Sequence, residues 1–271
     1  QCHYCGNTIP SPRKCPHCGS YSFAYGAPGT QKIEQNLKIL FPEAKILRMD
    51  SDSARKRDTY KSMYNRMKNK EVDILLGTQM ISKGLDFPLV TLVGIVMADI
   101  SLNLPDFRAA ERTFQLLTQV AGRSGRRDKA GEVIIQTYNP QHYAIESASQ
   151  QNYIRFATEE LGYRKKLYYP PYYRLARILF QSTDLETLKK EMSNMREVLY
   201  FLRKQFPMPQ LLLLGPSVAP FSKISSYYRY HLIFKAQTVK ILQNAIRLFN
   251  SLYNCPSNIR KQIDIDPNTL M

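Results

Sequence analysis

Past residue 20, short apolar runs alternate with stretches in which apolar residues recur every three or four positions. These are the spacings of strand and helix respectively. A short strand is expected over 21–25, and Gly29 and Thr30 open a helix with Ile33, Leu37 and Leu40 on one face. A strand at Ile46 and Leu47 leads to a second helix carrying Tyr60, Met63, Tyr64 and Met67. The run Val72-Asp73-Ile74-Leu75-Leu76 suits a strand buried on both faces. Strands over 90–96 and 132–137 flank a helix over 107–120. Such alternation predicts a mostly parallel sheet with right-handed crossovers. The Met and Tyr stripes serve as core contacts in that arrangement rather than as a cofactor box.

The order changes later in the chain. Residues 140–168 read as helical and end in Tyr168-Tyr169-Pro170-Pro171-Tyr172-Tyr173, where paired prolines stop a helix. Beyond them the pattern gives a strand over 174–181 and a helix over 184–205, with Leu188, Met192, Met195, Leu199 and Leu202 on one face. Strands over 211–214 and 228–235, a helix over 238–253 and a strand over 260–265 follow. A β-α-β-β-α-β order is the split βαβ, ferredoxin-like pattern. Thr183-Asp184 and Phe206-Pro207 mark the ends of its first helix.

Four of the five cysteines stand in two CxxCG turns, Cys2-His3-Tyr4-Cys5-Gly6 and Cys15-Pro16-His17-Cys18-Gly19. Turns of this kind let backbone amides approach and offset thiolates, and two of them supply the four sulfurs a tetrahedral Zn²⁺ prefers. Cys2, Cys5, Cys15 and Cys18 are therefore the candidate metal ligands, His3 and His17 spacers, and Cys255 a small apolar residue. Paired cysteines without an export signal fit a reducing cytoplasm rather than a disulfide framework. No apolar run reaches the length of a membrane span. The net charge of +16 divides into +6 over residues 1–150 and +10 over 151–271. A positive field of that size attracts polyanions, and in the second half it coincides with Tyr-rich text such as Tyr227-Tyr228-Arg229-Tyr230. Aromatic faces stack on bases and cations meet phosphates, which makes Lys223, Tyr228, Arg229 and Lys235 candidate DNA contacts. Solubility is the plainer reading of the charge, and core packing that of the tyrosines.

Two segments carry the chemistry. Gly77-Thr78-Gln79-Met80-Ile81-Ser82-Lys83-Gly84-Leu85-Asp86-Phe87-Pro88 directly follows the apolar strand, where sheet enzymes bind ligands. Thr78, Gln79 and Lys83 are suited to a nucleic-acid backbone. Gly84 permits close backbone approach, and Asp86 can accept from a ribose hydroxyl. The second segment, Gln119-Val120-Ala121-Gly122-Arg123-Ser124-Gly125-Arg126, closes a helix. Arg123 and Arg126 are spaced to meet a triphosphate together, with permanent charge and a fork that matches phosphate oxygens. That is the arginine-finger role. Gln119 joins them as a candidate catalytic residue, and Gly122 joins Gly84 and Asp86 as a candidate nucleotide contact.

GTQMISKGLDFP resembles motif V, and QVAGRSGR motif VI, of superfamily 2 helicases. The connecting text VTLVGIVMADISLNLPDFRAAERTFQLLTQVAGRSGR, the following GEVIIQTYNP, the cysteine turns leading into GAPGTQKIEQNLKILFP, and the ending IDIDPNTLM are similar to the primosomal protein N′ (PriA) family over nearly the whole chain. The resemblance implies an α/β, RecA-like second helicase lobe over 21–150, with a zinc-knuckle element over 1–20. A helical linker over 151–170 and an α+β ferredoxin-like DNA-binding domain over 171–271 would follow. It implies an ATP-driven 3′-to-5′ DNA helicase, with ATP and Mg²⁺ as substrate, that recognises stalled forks and starts primosome assembly. The partners implied are forked and single-stranded DNA, primosome and helicase-loader proteins, and single-stranded DNA-binding protein. The chain has no GxxxxGK[ST], and GAPGT at 26–30 lacks the phosphate-binding lysine. The resemblance places Walker A and Walker B upstream, so the start at Gln1 reads as a fragment boundary and the chain alone is expected to lack ATPase turnover. The family carries eight zinc cysteines in two sites. Four stand here, which leaves the number and pairing of ions open. A non-catalytic, zinc-containing nucleic-acid adaptor is the alternative, although an adaptor has no use for paired motifs V and VI.

Overall fold

A computed structural model describes residues 14–15, 18–21, 29–49, 57–78, 89–122 and 131–271. The chain divides into two compact units. One comprises the described residues within 12–103 and 110–156; the other comprises 157–271 with 104–109.

The first unit begins with α1 (Thr30–Leu40), β1 (Ile46–Met49), α2 (Arg57–Lys68) and β2 (Ile74–Gly77). β1 and β2 pair in parallel, Ile46 opposite Ile74 and Met49 opposite Gly77. Parallel neighbours need a crossover, and α2 supplies it, with Met63 packed on Met49 and flanked by Leu47, Met67 and Leu75. α1 buries no residue, and Leu40, expected on its inner face, is exposed. A second parallel pair joins β3 (Leu92–Ile95) to β4 (Glu132–Ile135). Between them lie α3 (Asp99–Leu102) and α4 (Ala109–Ala121). The expected strand over 21–25 falls outside the described residues apart from Tyr21.

The helical stretch after β4 is two helices, α5 (Tyr143–Ser149) and α6 (Tyr153–Lys166). The break has a local cause. Gln151 adopts a left-handed backbone with φ 51°, and the Asn152 side chain accepts from Arg155 N at 2.9 Å. A side-chain oxygen at that position satisfies an amide that the first turn leaves open. Phe114 of α4 stacks on Phe156 of α6 at 4.2 Å, above Leu117, Ala144, Ile145 and Ala148.

The second unit holds β5 (Arg174–Ser182), α7 (Leu185–Asn194), α8 (Arg196–Gln205), β6 (Leu211–Ile224), β7 (Tyr227–Ala236), α9 (Val239–Leu252) and β8 (Arg260–Ile265). Its four strands form one antiparallel sheet in the order β6-β7-β5-β8. Alternate residues of each strand face opposite sides. Ala176, Ile178 and Phe180 with Leu232, Phe234 and Ala236 meet the helices, where Leu188, Met192, Met195, Leu199, Leu202, Leu242 and Phe249 complete the core. The helix expected over 184–205 divides at Met195, yet the apolar face named from its periodicity is buried throughout. Asp184 caps α7 by accepting from Glu186 N at 3.0 Å. Accepting from the Thr187 hydroxyl and from the backbone amides of Glu186 and Thr187 lowers its pKa.

The other sheet face is also covered. Leu175 and Ile233 pack with Phe107, Tyr169 and Leu270. β6 runs to Ile224 because its register shifts twice, between Leu214 and Ser217 and between Val218 and Lys223, so that it keeps pairing β7 beyond Gly215 and Pro216. Gly215 has φ +98°, and a Cβ there would lie 2.7 Å from His231 O and 2.9 Å from Ser217 N. Only glycine fits that bulge.

Candidate nucleotide and nucleic-acid sites

In the first unit, the parallel strands place two of the expected segments. Thr78 follows the last residue of β2 directly and is exposed, at the carboxyl end where an α/β sheet presents ligand-binding loops. Gln119 is exposed in the last turn of α4, and Gly122 closes the helix, its N–H donating to Thr118 O at 3.1 Å. The first unit thus carries the strand end at which motif V starts and the helix end within motif VI. Gln79, Lys83, Gly84, Asp86, Arg123 and Arg126 lie outside the described residues.

Sequence reasoning passed over Asp99 at the start of α3. Its carboxylate accepts from the Thr137 hydroxyl at 2.9 Å and from Tyr138 N at 3.1 Å, tying the segment after β4 to the segment after β3. The Ala98 N–H donates to Gln136 O at 3.1 Å across the same pair. The half-buried Met97 beside it adopts φ 60°.

Of the candidate metal ligands, Cys2 and Cys5 lie outside the described residues. Cys15 is half-buried and Cys18 exposed. They sit on a closed turn in which Gly19 N donates to Cys15 O at 3.0 Å and Cys15 N to Ser20 O at 2.8 Å, with Gly19 at φ +71°. This turn supplies two sulfurs, half of a tetrahedral thiolate set. Its donor chemistry fits zinc.

In the second unit the expected DNA contacts separate. Lys223 is exposed near the tip of the β6–β7 hairpin, its ammonium 4.5 Å from the Tyr228 ring centre and donating to the Tyr228 hydroxyl at 3.4 Å. Tyr228 is half-buried against the helix-side core. Arg229 corrects the expectation of a surface contact: it is 6% exposed and donates from NH1 to Phe221 O at 3.3 Å. Alternation turns it to the face away from the helices, and the β6 bulge folds over it. In the Tyr168–Tyr173 segment, Tyr169 and Tyr173 are buried, and the Tyr173 hydroxyl donates to Pro209 O at 3.0 Å.

Arg229 shares that covered face with Arg177 and His231. Burial, reinforced by the two guanidinium groups, draws His231 down to about 4, and burial together with Arg177 also lowers Arg229. Arg177 lies 3.9 Å from Asp264 and donates to the Met271 backbone oxygen. Lys235 continues the row and likewise corrects the expectation of a surface contact: it is 2% exposed, donating to Leu167 O at 2.9 Å with its ammonium 3.3 Å from the Tyr169 ring centre. A polar side chain at every second position reads as a solvent face, so no sequence signal marked these cations as buried.

Comparison with known proteins gives two family matches, the helicase conserved C-terminal domain over residues 26–128 and the primosomal protein N C-terminal domain over 165–268. The chain is 39% identical to the replication restart protein PriA of Bacillus subtilis, with 100% of this chain and 34% of that protein covered. It is equally similar, at 39%, to that of Treponema pallidum, with 98% and 40% covered. The chain belongs to the PriA family. It corresponds to a C-terminal portion of these PriA proteins and spans about a third of the length of the curated relatives it matches. Among solved structures, a de novo designed protein, Foldit4, matches 35% of the chain at TM-score 0.27 and 7% identity, too distant to bear on fold or function. Among the described residues, no helix is long and apolar enough to cross a membrane.

Proposed function

We propose that the chain forms the second, RecA-like motor lobe and the C-terminal DNA-binding domain of an ATP-dependent 3′-to-5′ DNA helicase. In this reading the whole protein recognises stalled forks in the cytoplasm and starts primosome assembly for replication restart. The observation that carries it is the arrangement in the first unit. Thr78 stands at the carboxyl end of parallel strand β2, and Gln119 and Gly122 close the helix that crosses between parallel strands β3 and β4. Thr78, Gln79 and Lys83 hold phosphates of the tracked strand. Gly84, Asp86 and Gly122 border the nucleotide, and Arg123 and Arg126 reach the phosphoryl group being transferred. Two guanidinium groups there stabilise charge that develops only in the transition state.

ATP and Mg²⁺ are held mainly by a lobe upstream of this sequence. The partners under this reading are forked and single-stranded DNA, helicase-loader proteins and single-stranded DNA-binding protein. A Zn²⁺ held by Cys2, Cys5, Cys15 and Cys18 stabilises the knuckles without entering the chemistry. The antiparallel sheet, in the order β6-β7-β5-β8 with two helical crossovers, supports a ferredoxin-like reading of the C-terminal domain. There the exposed Lys223 beside Tyr228 offers a phosphate contact and an aromatic face.

The test is phosphate release with and without single-stranded DNA. The full-length Arg126→Ala protein is expected to lose hydrolysis and keep DNA binding, and the 271-residue chain alone is expected to show no turnover. Normal hydrolysis by Arg126→Ala, or turnover by the isolated chain, overturns the reading.

A further inference from the structure

Arg177 of β5 and Arg229 and His231 of β7 lie on the sheet face turned away from the helices, 9%, 6% and 5% exposed. In the antiparallel ladder Arg177 stands opposite Asp264, Arg229 opposite Gln181 and His231 opposite Leu179, and residues opposite one another share a face. Both guanidinium groups act on the His231 imidazole, and Arg177 acts on Arg229. The three side chains therefore form one patch.

Protein groups use only part of their hydrogen-bonding capacity. Arg177 donates to the Met271 backbone oxygen and lies 3.9 Å from Asp264, and Arg229 donates to Phe221 O at 3.3 Å. Arg177 Nε, Arg229 Nε and His231 Nδ1 are buried and have no hydrogen-bond partner in the protein. Buried polar groups are ordinarily paired, and an unpaired one on a charged side chain is costly. Among the described residues, the ion pair made by these three cations is that of Arg177 with Asp264, which leaves Arg229 without a carboxylate. His231 is neutral at physiological pH, since burial and the two guanidinium groups draw it down to about 4, and it keeps one ring N–H to donate.

The surroundings hold these groups in place. The segment that carries Met271 is tied down by Asp106, which is fully buried and accepts from Leu270 N at 3.2 Å and from the Thr269 hydroxyl. Phe107 stacks on Tyr169 with ring centres 5.1 Å apart, and both pack with Leu270. On the β6 side, the register shift between Val218 and Lys223 sets residues 219–222 against Arg229.

We propose that Arg177, Arg229 and His231 form a binding site for a phosphate dianion, either free orthophosphate or the terminal phosphate of a small ester. Guanidinium forks match phosphate oxygens, and three donors on three side chains suit several oxygens of one tetrahedral anion. The anion also supplies the negative charge that Arg229 lacks. A phosphodiester, with chain on both sides, does not fit donors covered this deeply. Every residue involved belongs to the second unit, so the proposal does not rest on the helicase reading.

The experiment titrates the 271-residue chain with sodium phosphate at neutral pH by calorimetry, with ionic strength held by sodium chloride. The parent is expected to bind phosphate with Kd on the order of 1 mM and to melt higher in saturating phosphate than in chloride. Arg177→Gln and Arg229→Gln should each weaken binding at least about tenfold. Lys190→Gln removes an exposed charge from α7, across the sheet, and should leave Kd within about twofold. Arg229→Met removes a buried charge, so it should melt above the parent in chloride and gain nothing from phosphate. A merely structural Arg229 gives the reverse, a lower melting temperature with the phosphate shift intact, and that result overturns the site. Thymidine 5′-monophosphate separates the two sources. Binding at least as tight as that of orthophosphate assigns the site to an ester, and weaker binding assigns it to the free anion. No phosphate binding up to about 20 mM, some twentyfold above the expected Kd, overturns the proposal. So does binding that Arg177→Gln and Arg229→Gln leave unchanged, or tighter binding of the diester thymidylyl-thymidine than of orthophosphate. Should Arg177→Gln fail to fold, the two Arg229 variants decide.

Discussion

Replacing Lys235 by methionine should stabilise the chain at neutral pH, by an amount that shrinks as the pH rises. Lys235 sits on β7 opposite Leu175 and Leu212, and burial draws its ammonium from the ordinary 10.5 down to about 7. In the unfolded chain the amine stays protonated until about 10.5, so between pH 7 and 10.5 the unfolded state binds more protons than the folded one. Stability from this group therefore increases with pH across that window, is complete above 10.5, and is lost as the pH falls to 7. With those two values, burying the amine costs about 4 kcal/mol at pH 7 and roughly 2 kcal/mol less at pH 8.5. Methionine avoids this cost and keeps most of the volume. It gives up the hydrogen bond to Leu167 O, worth about 1 kcal/mol, and the attraction of the Tyr169 ring, worth about 0.5–2 kcal/mol. The hydrogen bond is lost at every pH, while the ring attraction needs the ammonium and fades with it above pH 7, so the variant should gain about 1–3 kcal/mol at pH 7 and lose roughly 1–2 kcal/mol of that advantage by pH 8.5. The chain has 18 tyrosines and no tryptophan, so urea unfolding followed by tyrosine fluorescence at pH 6.5 to 9 reads it out. A parent-minus-variant difference that stays flat over that range refutes the buried-amine argument.

Two further outcomes follow from geometry described above. Gly215→Ala places a Cβ against two backbone atoms at a backbone angle that L-residues avoid, and should cost at least about 2 kcal/mol in urea unfolding; a loss under 0.5 kcal/mol would show that the β6 bulge is free to rearrange. Cys15→Ser combined with Cys18→Ser should lower the zinc content measured by atomic emission, since each loses a thiolate ligand; unchanged zinc means that these sulfurs are not ligands.

The helix positions were legible because helical periodicity is strong and redundant. Leu188, Met192, Met195, Leu199 and Leu202 lie on one stripe whether or not the helix breaks at Met195, and burial follows the stripe. The strand β6 was legible only to Leu214. Gly215, Pro216 and Pro220 read as a loop, and the strand continues through them because β6 lies at the edge of its sheet, where a missing N–H leaves no ladder bond unmade. Arg177, Arg229, His231 and Lys235 alternate with apolar residues and so imitate a wet face. What covers them comes from segments distant in sequence, including Phe107, Tyr169 and Leu270. Asp106 was hidden for the same reason, since its partners Thr269 and Leu270 lie far down the chain. At the candidate nucleotide site the residue types and their spacing were readable, and the setting of Thr78 and Gln119 on a strand end and a helix end followed from the strand–helix alternation.

The inner position of β5 has a consequence for synthesis on the ribosome. β5 emerges before the other strands of its sheet, yet it is flanked by β7 and by β8, whose pairing runs from Gln181 opposite Arg260 to Ala176 opposite Ile265. Until β8 leaves the exit tunnel, one whole side of β5 presents unpaired amides and carbonyls next to apolar residues, a template for pairing with a neighbouring nascent chain. Translation that stalls between α9 and β8 should therefore yield aggregates rather than a three-stranded intermediate.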